Sequence, residues 1–483
     1  MSDKLALLHP LLFSIIFVIM PYTQYAGLIP PAQVVVSFIV ICVFALFSYL
    51  IIKRIVKKRG VAVAVLSPLL IIFFNYGTLY EHITELTQGT KLDVPVLILA
   101  TLFILIILVV YIVKILRAHE GTQKSVNKAF CVIAVTLIIF NTFSITMQSI
   151  MTAKIIESSG MTGIPLQKNT GPLPDIYFVI LDEWAAPSQM KSYFHYDISP
   201  FVEHLRQKGF MVTEMSLITE SLGSFDIMEH RLNMEATNRK DVATVSSSLL
   251  DRLLQSMSLL NTSQKENMTH LRNSKVIVYL KSLGYQFIYM GNWAPPLRYN
   301  RLADQNINCF GFQFTDELSY IIVNSSVLRL VTIHRYFHRK GVLDAFANLG
   351  NMPVVAGKPK FIYAHILCPH VPYIFGAKGE KLALKPGGSK EADKQLYLNQ
   401  HIFITKKAKE LVDQKLSNSQ AAPVIIIQAD HGARMDKPGA HQVFSAVYIP
   451  SYKGRPWQDS ISSSNTFRLL FNELFGSNLE ILQ

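Results

Sequence analysis

The sequence predicts an α-helical transmembrane bundle of about five helices, followed by an α/β domain built on a doubly wound, mostly parallel sheet. Three observations carry this expectation. Long apolar runs crowd the part of the 483-residue chain before residue 153. The short loops between them hold much of the net charge of +13. Beyond Asp175, strand-length apolar runs alternate with helical patterns. Half of the residues are hydrophobic, high for a soluble protein, and their uneven spread marks the first domain boundary. The expected division is 1–156 transmembrane, 157–173 linker and 174–483 exported domain.

The spans read as Pro10 to Met20 with flanks, Val34 to Ile52, Val61 to Tyr80, Val94 to Leu116 and Phe130 to Met151, each near the ~20 residues that cross a bilayer. The first is interrupted by Pro10 and Pro21 and also reads as an uncleaved, signal-like anchor. Lys53, Arg54, Lys57, Lys58 and Arg59 follow the second span, and Lys114, at the end of the fourth, is followed by Arg117, Lys124 and Lys128 before the fifth. Both loops are therefore cytoplasmic. An odd number of spans then exports the C-terminal domain from a multi-pass plasma (inner) membrane protein. Tyr22, Tyr25, Tyr76 and Tyr80 suit the interfaces.

Several function classes fall away. Charged residues are nearly absent within the spans, which argues against a transport pathway. The basic excess sits beside apolar spans and not in a run interleaved with aromatics, so membrane lipids account for it better than nucleic acid. The four cysteines show no metal-ligand spacing. Cys42 and Cys131 lie in spans; Cys309 and Cys368 read either as a disulfide or as two buried free thiols.

In the exported part, Glu157 to Pro174 is rich in Gly, Ser, Thr and Pro and reads as a linker. Ile176 to Leu181 is continuously apolar, as a strand buried on both faces requires; Phe287 to Met290, Phe361 to Ile366 and Val424 to Ile427 are similar. Between them, Pro200 to Lys208, Ser247 to Leu259, Lys275 to Leu283, Asp393 to Leu416 and Thr466 to Phe475 carry helical patterns. In such a sheet, ligands bind at the carboxyl ends of the strands. Three polar clusters fall there: Asp182-Glu183, His365 with His370 in AHILCPHVPY, and Asp430-His431-Gly432 in IIIQADHGAR. Any one pair reads as a cap or a core histidine. Together, carboxylates and imidazoles from separate strand ends are the donor set of a divalent metal such as Zn, Mn, Mg or Ca.

In order along the chain, PDIYFVILDE, SPFVEHLRQKGF, SKVIVYLKSLGYQFIYM, FIYAHILCPHVPY, VIIIQADHGAR and SNTFRLLFNELFG resemble the alkaline phosphatase and sulfatase superfamily. The likeness is to its membrane-anchored, sulfatase-like branch, which is related to lipoteichoic acid synthases and phosphoethanolamine transferases. The resemblance implies an alkaline phosphatase-like fold from Pro174 to about Gly476 and metal ligation by Asp182, Glu183, Asp430 and His431. It also implies contact of His370, and secondarily His365, with the phosphate or sulfate of the substrate, and a cell-envelope setting. His441 reads as an ordinary loop histidine.

The same resemblance requires a metal-bound hydroxyl nucleophile within SLITESLGSFDIMEHRLNM, where an insertion precedes Leu232. Thr219 is the first choice and Ser221 the second, because a hydroxyl at a helix start has exposed amides nearby; both also read as simple caps. No Cys-x-Pro-x-Arg or Ser-x-Pro-x-Arg stretch is present, which disfavours formylglycine sulfatase chemistry. Two readings remain. One is a metal-dependent phosphoryl-group transferase or phosphodiesterase acting on lipid or envelope glycan headgroups. The other is a non-catalytic membrane protein whose degenerate domain binds an anionic headgroup or a partner.

Overall fold

Uninterrupted apolar sequence folds as helix in lipid because each backbone N–H and C=O must be paired within its own segment. The computed structural model describes residues 8–86, 94–158, 173–216, 223–235, 269–291, 298–309, 317–330, 333–352, 358–382, 389–418, 422–436, 439–450, 452, 457–459 and 461–482. It opens with helices α1 (His9–Gln24), α2 (Ala32–Val56), α3 (Arg59–Leu86), α4 (Val94–Ala118) and α5 (Glu120–Ser158). Ala32–Val56, Arg59–Tyr80 and Glu120–Ile150 are long and apolar enough to cross a membrane, and α4 has 25 residues. α1, with 16 residues, is about 24 Å long, short of the ~30 Å hydrocarbon core.

The outward faces are apolar. Val40, Phe47, Phe103, Ile104 and Ile139 are each more than half exposed, an aggregation surface in water but a matched one in lipid. Arg117 donates to Ile55 O (3.3 Å) and Val56 O (3.1 Å), and Lys58 Nζ donates to Arg117 O (3.2 Å). The two basic loops therefore lie on one side of the bundle, as their shared charge demands.

Further along the chain come α6 (Pro187–Ser192), α7 (Ser199–Gln207), α8 (Ser224–Asn233), α9 (Lys275–Ser282) and α10 (Glu317–Ser325). α10 groups with the bundle. Leu318 and Ile322 are buried in the apolar core of α1 to α3. Leu318 N donates to Gln33 Oε1 at 3.1 Å, and Ser319 Oγ lies 3.2 Å from Ser37 Oγ. Gly77 permits this close packing, because a Cβ there would stand 2.6 Å from Asn324 O. After the 3-10 turn Val327–Leu330, the chain forms α11 (Ile333–Asn351), α12 (Lys390–Asn418) and α13 (Thr466–Phe475).

The second compact unit holds a seven-stranded sheet. Its strands are β1 (Ile176–Leu181), β2 (Met211–Ser216), β3 (Gln286–Gly291), β4 (Gln305–Asn308), β5 (Lys360–Ile366), β6 (Val424–Ala429) and β7 (Gln442–Tyr448), ordered β2-β7-β6-β1-β5-β3-β4. β1 pairs in parallel with β5 and β6, and β3 in parallel with β4 and β5. β7 runs antiparallel to β6 and β2. The expected α/β fold with a mostly parallel sheet is therefore present, and both sheet faces are covered by apolar cores. Thr466–Phe475 is helical over the expected span, whereas the expected helix Ser247 to Leu259 lies outside the described residues. Cys309 and Cys368 are buried free thiols.

Two buried imidazoles make the domain acid-sensitive. Burial pushes His338 down to about 4, against its hydrogen bond with Leu367 O (2.9 Å), and pushes His401 down to about 4. Both folded values lie below the unfolded value of ~6.5, so the unfolded chain binds more protons below that pH. Their contribution is fully present above pH ~6.5 and is lost as pH falls towards 4. The melting temperature of the purified full chain should fall between about pH 7 and about pH 5. His401→Gln should shrink that fall, and an unchanged pH dependence would count against the assignment.

Candidate metal centre

The parallel register brings the strand ends level. Leu181 is opposite both Ile366 on β5 and Ala429 on β6, so the next residues, Asp182 and Asp430, emerge side by side. Alternation decides the face. Ile176, Phe178 and Ile180, Phe361 and Tyr363, and Val424 and Ile426 all point into one apolar core together with Met228 and Leu232 of α8. Two residues beyond Ile180 and Gln428, and two beyond Tyr363, that face carries Asp182, Asp430 and His365.

Asp182, Asp430 and His431 converge, with their ligand atoms within 4.8 Å of one another, and all three are buried. His431 Nδ1 lies 2.7 Å from Gly432 O, so Nδ1–H donates to that carbonyl and Nε2 presents its lone pair, the arrangement a metal-ligating imidazole adopts. Asp430 Oδ1 accepts from Glu183 N (2.9 Å) and His431 N (2.8 Å). Asp430 Oδ2 and Asp182 Oδ1, by contrast, are buried without a hydrogen-bond donor. Unpaired buried carboxylate oxygens are costly unless a cation takes them, and this donor set fits a divalent ion. Burial opposes ionisation of Asp430, but His431, His365 and the Glu183 N–H outweigh it and hold the carboxyl well below its usual range. Gly432 allows the loop to close, since a Cβ there would stand 2.3 Å from Gly439 O.

The other expected residues are placed as follows. Glu183 has a left-handed backbone (φ 61°), and its Oε1 accepts from Arg434 N at 2.7 Å; it is not one of the three converging ligands. Burial pushes its carboxyl up. His365 is buried on β5, with Nε2 3.2 Å from Asp182 Oδ2 and 4.0 Å from Asp430 Oδ2. His370 donates its backbone N–H to Asp182 O at 3.1 Å. Burial disfavours its charge, yet the Asp182 and Glu183 carboxylates raise its pKa above the ordinary imidazole value. Its loop is pinned by Gln400, which donates to Pro369 O (2.9 Å) and His370 O (3.0 Å) and accepts from Ile374 N (2.7 Å) and Phe375 N (3.1 Å). His441 closes the 3-10 turn Gly439–His441 and is not one of the converging ligands.

Thr219 and Ser221 lie outside the described residues. The hydroxyl found at the centre is Ser224, the first residue of α8, whose Oγ lies 3.4 Å from His431 Nε2. Its sequence signal is a helix-start pattern: Gly223 precedes the helix and donates its N–H to Asp226 Oδ2 at 3.2 Å. Arg231 is fully buried on the same helix and carries no comparable sequence signal.

Fold and site together define a protein with an apolar helical bundle and an α/β domain that gathers carboxylates and imidazoles at its strand ends. No protein-family model matches the chain, and no curated protein matches it. Among solved structures it is similar to the integral membrane lipooligosaccharide phosphoethanolamine transferase A of Neisseria meningitidis (10% identity, 96% of this chain and 95% of that one, TM-score 0.42). It is also similar to the zinc-bound C-terminal periplasmic domain of EcEptC from Escherichia coli (14% identity, 66% and 87%, TM-score 0.41). A third is a protein of the alkaline phosphatase superfamily from Vibrio parahaemolyticus (12% identity, 67% and 74%, TM-score 0.38).

Proposed function

We propose that this chain is a membrane-anchored, metal-dependent phosphoryl-group transferase or phosphodiesterase of the sulfatase-like type, acting on anionic lipid or envelope glycan headgroups, with its C-terminal domain exported. The carrying observation is the convergence of Asp182, Asp430 and His431 around buried carboxylate oxygens that lack any donor. These three residues would hold the cation. When bound, a divalent ion there supplies Lewis acidity to a phosphoryl oxygen and eases deprotonation of a nearby hydroxyl.

The remaining chemistry belongs to the chain. Ser224 Oγ, beside His431, is the nucleophile in this reading, with Thr219 and Ser221 as the other hydroxyls of the segment. Attack forms a serine O–P bond and breaks the P–O bond to the leaving alcohol, which departs with a proton; water or an acceptor alcohol then takes the phosphoryl group from serine. His370, whose protonated form the neighbouring Asp182 and Glu183 carboxylates favour, would offer charge to the substrate's anionic oxygens.

The purified full chain should release p-nitrophenolate from bis(p-nitrophenyl) phosphate, lose that activity on chelation and recover it with zinc or manganese. Metal binding with no turnover on this substrate or on phospholipid vesicles would favour the non-catalytic headgroup binder. Absence of both metal binding and turnover would remove the reading.

A further inference from the structure

Burying a guanidinium is costly unless acceptors and a counter-charge face it. Arg231 donates through Nη1 to Ala429 O (2.9 Å) and through Nη2 to Asp430 O (3.2 Å) and Ser463 Oγ (3.1 Å), while its Nε is buried without a hydrogen-bond partner. The carboxylate whose charge faces it is that of Asp430. Arg231 follows Ser224 by about two helical turns, so both residues occupy one face of α8, with the buried Met228 between them. That face meets the 429–431 segment at two points, Ser224 on His431 and Arg231 on two successive carbonyls.

The two sides of this contact are not equally supported. Asp430 is held independently, by β6 pairing with β1 and β7 and by two N–H groups on Oδ1. The fork of Arg231 therefore chiefly fixes the helix. We propose that Arg231 is a positioning residue that sets the register of α8 against the end of β6 and so keeps the Ser224 hydroxyl at the centre. The proposal rests on the metal-centre reading above. Lysine cannot replace it, because an ammonium lacks the planar fork that reaches two carbonyls and a hydroxyl together.

The test reads zinc affinity of the metal-stripped full chain, independently of turnover. Ser224→Cys should bind zinc about tenfold or more tightly, because a thiolate beside His431 adds a soft ligand. Arg231→Lys should erase most of that gain in the Ser224→Cys background, yet change the affinity of the otherwise wild-type chain by less than about threefold, since the other ligands are held separately. With Ser224 intact, Arg231→Lys should lower kcat by about tenfold to a hundredfold at unchanged KM. Should Arg231→Lys fail to fold, Ser463→Ala removes one of the three acceptors and should erase part of the gain. A double variant that keeps the whole gain, or a Ser224→Cys chain that shows none, overturns the proposal. A wild-type chain that binds no zinc overturns the metal-centre reading itself, and the proposal with it.

Discussion

Asp430→Asn is expected to abolish divalent-cation binding and to lower turnover by about a thousandfold. Asparagine keeps the Oδ1 acceptor that Glu183 N and His431 N use, so the strand end should hold its shape. What it removes is the anionic Oδ2, which is buried beside Asp182 with no donor. The lost charge also leaves the buried Arg231 without its facing carboxylate, and folding favours the ionised form of Asp430, so the melting temperature without metal should fall. Calorimetric titration with zinc or manganese is the decisive measurement. Affinity within about threefold of wild type would show that this oxygen is not a ligand.

Ser224→Ala should leave metal affinity nearly unchanged while lowering kcat by on the order of 10³-fold. The separation follows from the geometry. Ser224 Oγ contacts His431 Nε2, but three other groups make up the converging set, so loss of the hydroxyl removes the proposed nucleophile and leaves the proposed ligands in place. Thr219→Ala and Ser221→Ala are the controls, assayed on the same phosphodiester. If Thr219→Ala silences the chain and Ser224→Ala does not, the nucleophile sits in the segment before α8 and the role given to Ser224 is wrong.

Legibility in the sequence followed burial. β1 and β6 were readable because they are central, and burial on both faces leaves an unbroken apolar run. β2 (MVTEMS) and β4 (QNIN) occupy the two edges of the sheet, and β7 carries the antiparallel end. The mixed composition of β2 and β4 goes with their partial exposure, whereas β7 is buried but breaks its apolar run with Ser445. Asp182 and Asp430-His431 were legible because strand ends announce themselves. Ser224 was not, since its relevance depends on the residue at which α8 begins and on where that helix lands. Arg231 looked like one more charge on a helical face. Its complete burial is a tertiary fact, visible only once the carbonyls of Ala429 and Asp430 are in place. The resemblance puts His365 second to His370, and its sequence setting inside an apolar run carries no sign that it lies 3.2 Å from Asp182 Oδ2.

The chain leaves its apolar helices after α5 and revisits them at α10. A water-soluble fragment cut at the linker would therefore inherit an orphan. Leu318 and Ile322, 0% and 6% exposed beneath α1 to α3, would lose their cover and invite self-association. Excising the sheet domain cleanly calls for replacing or looping out 317–330 as well as choosing a new first residue.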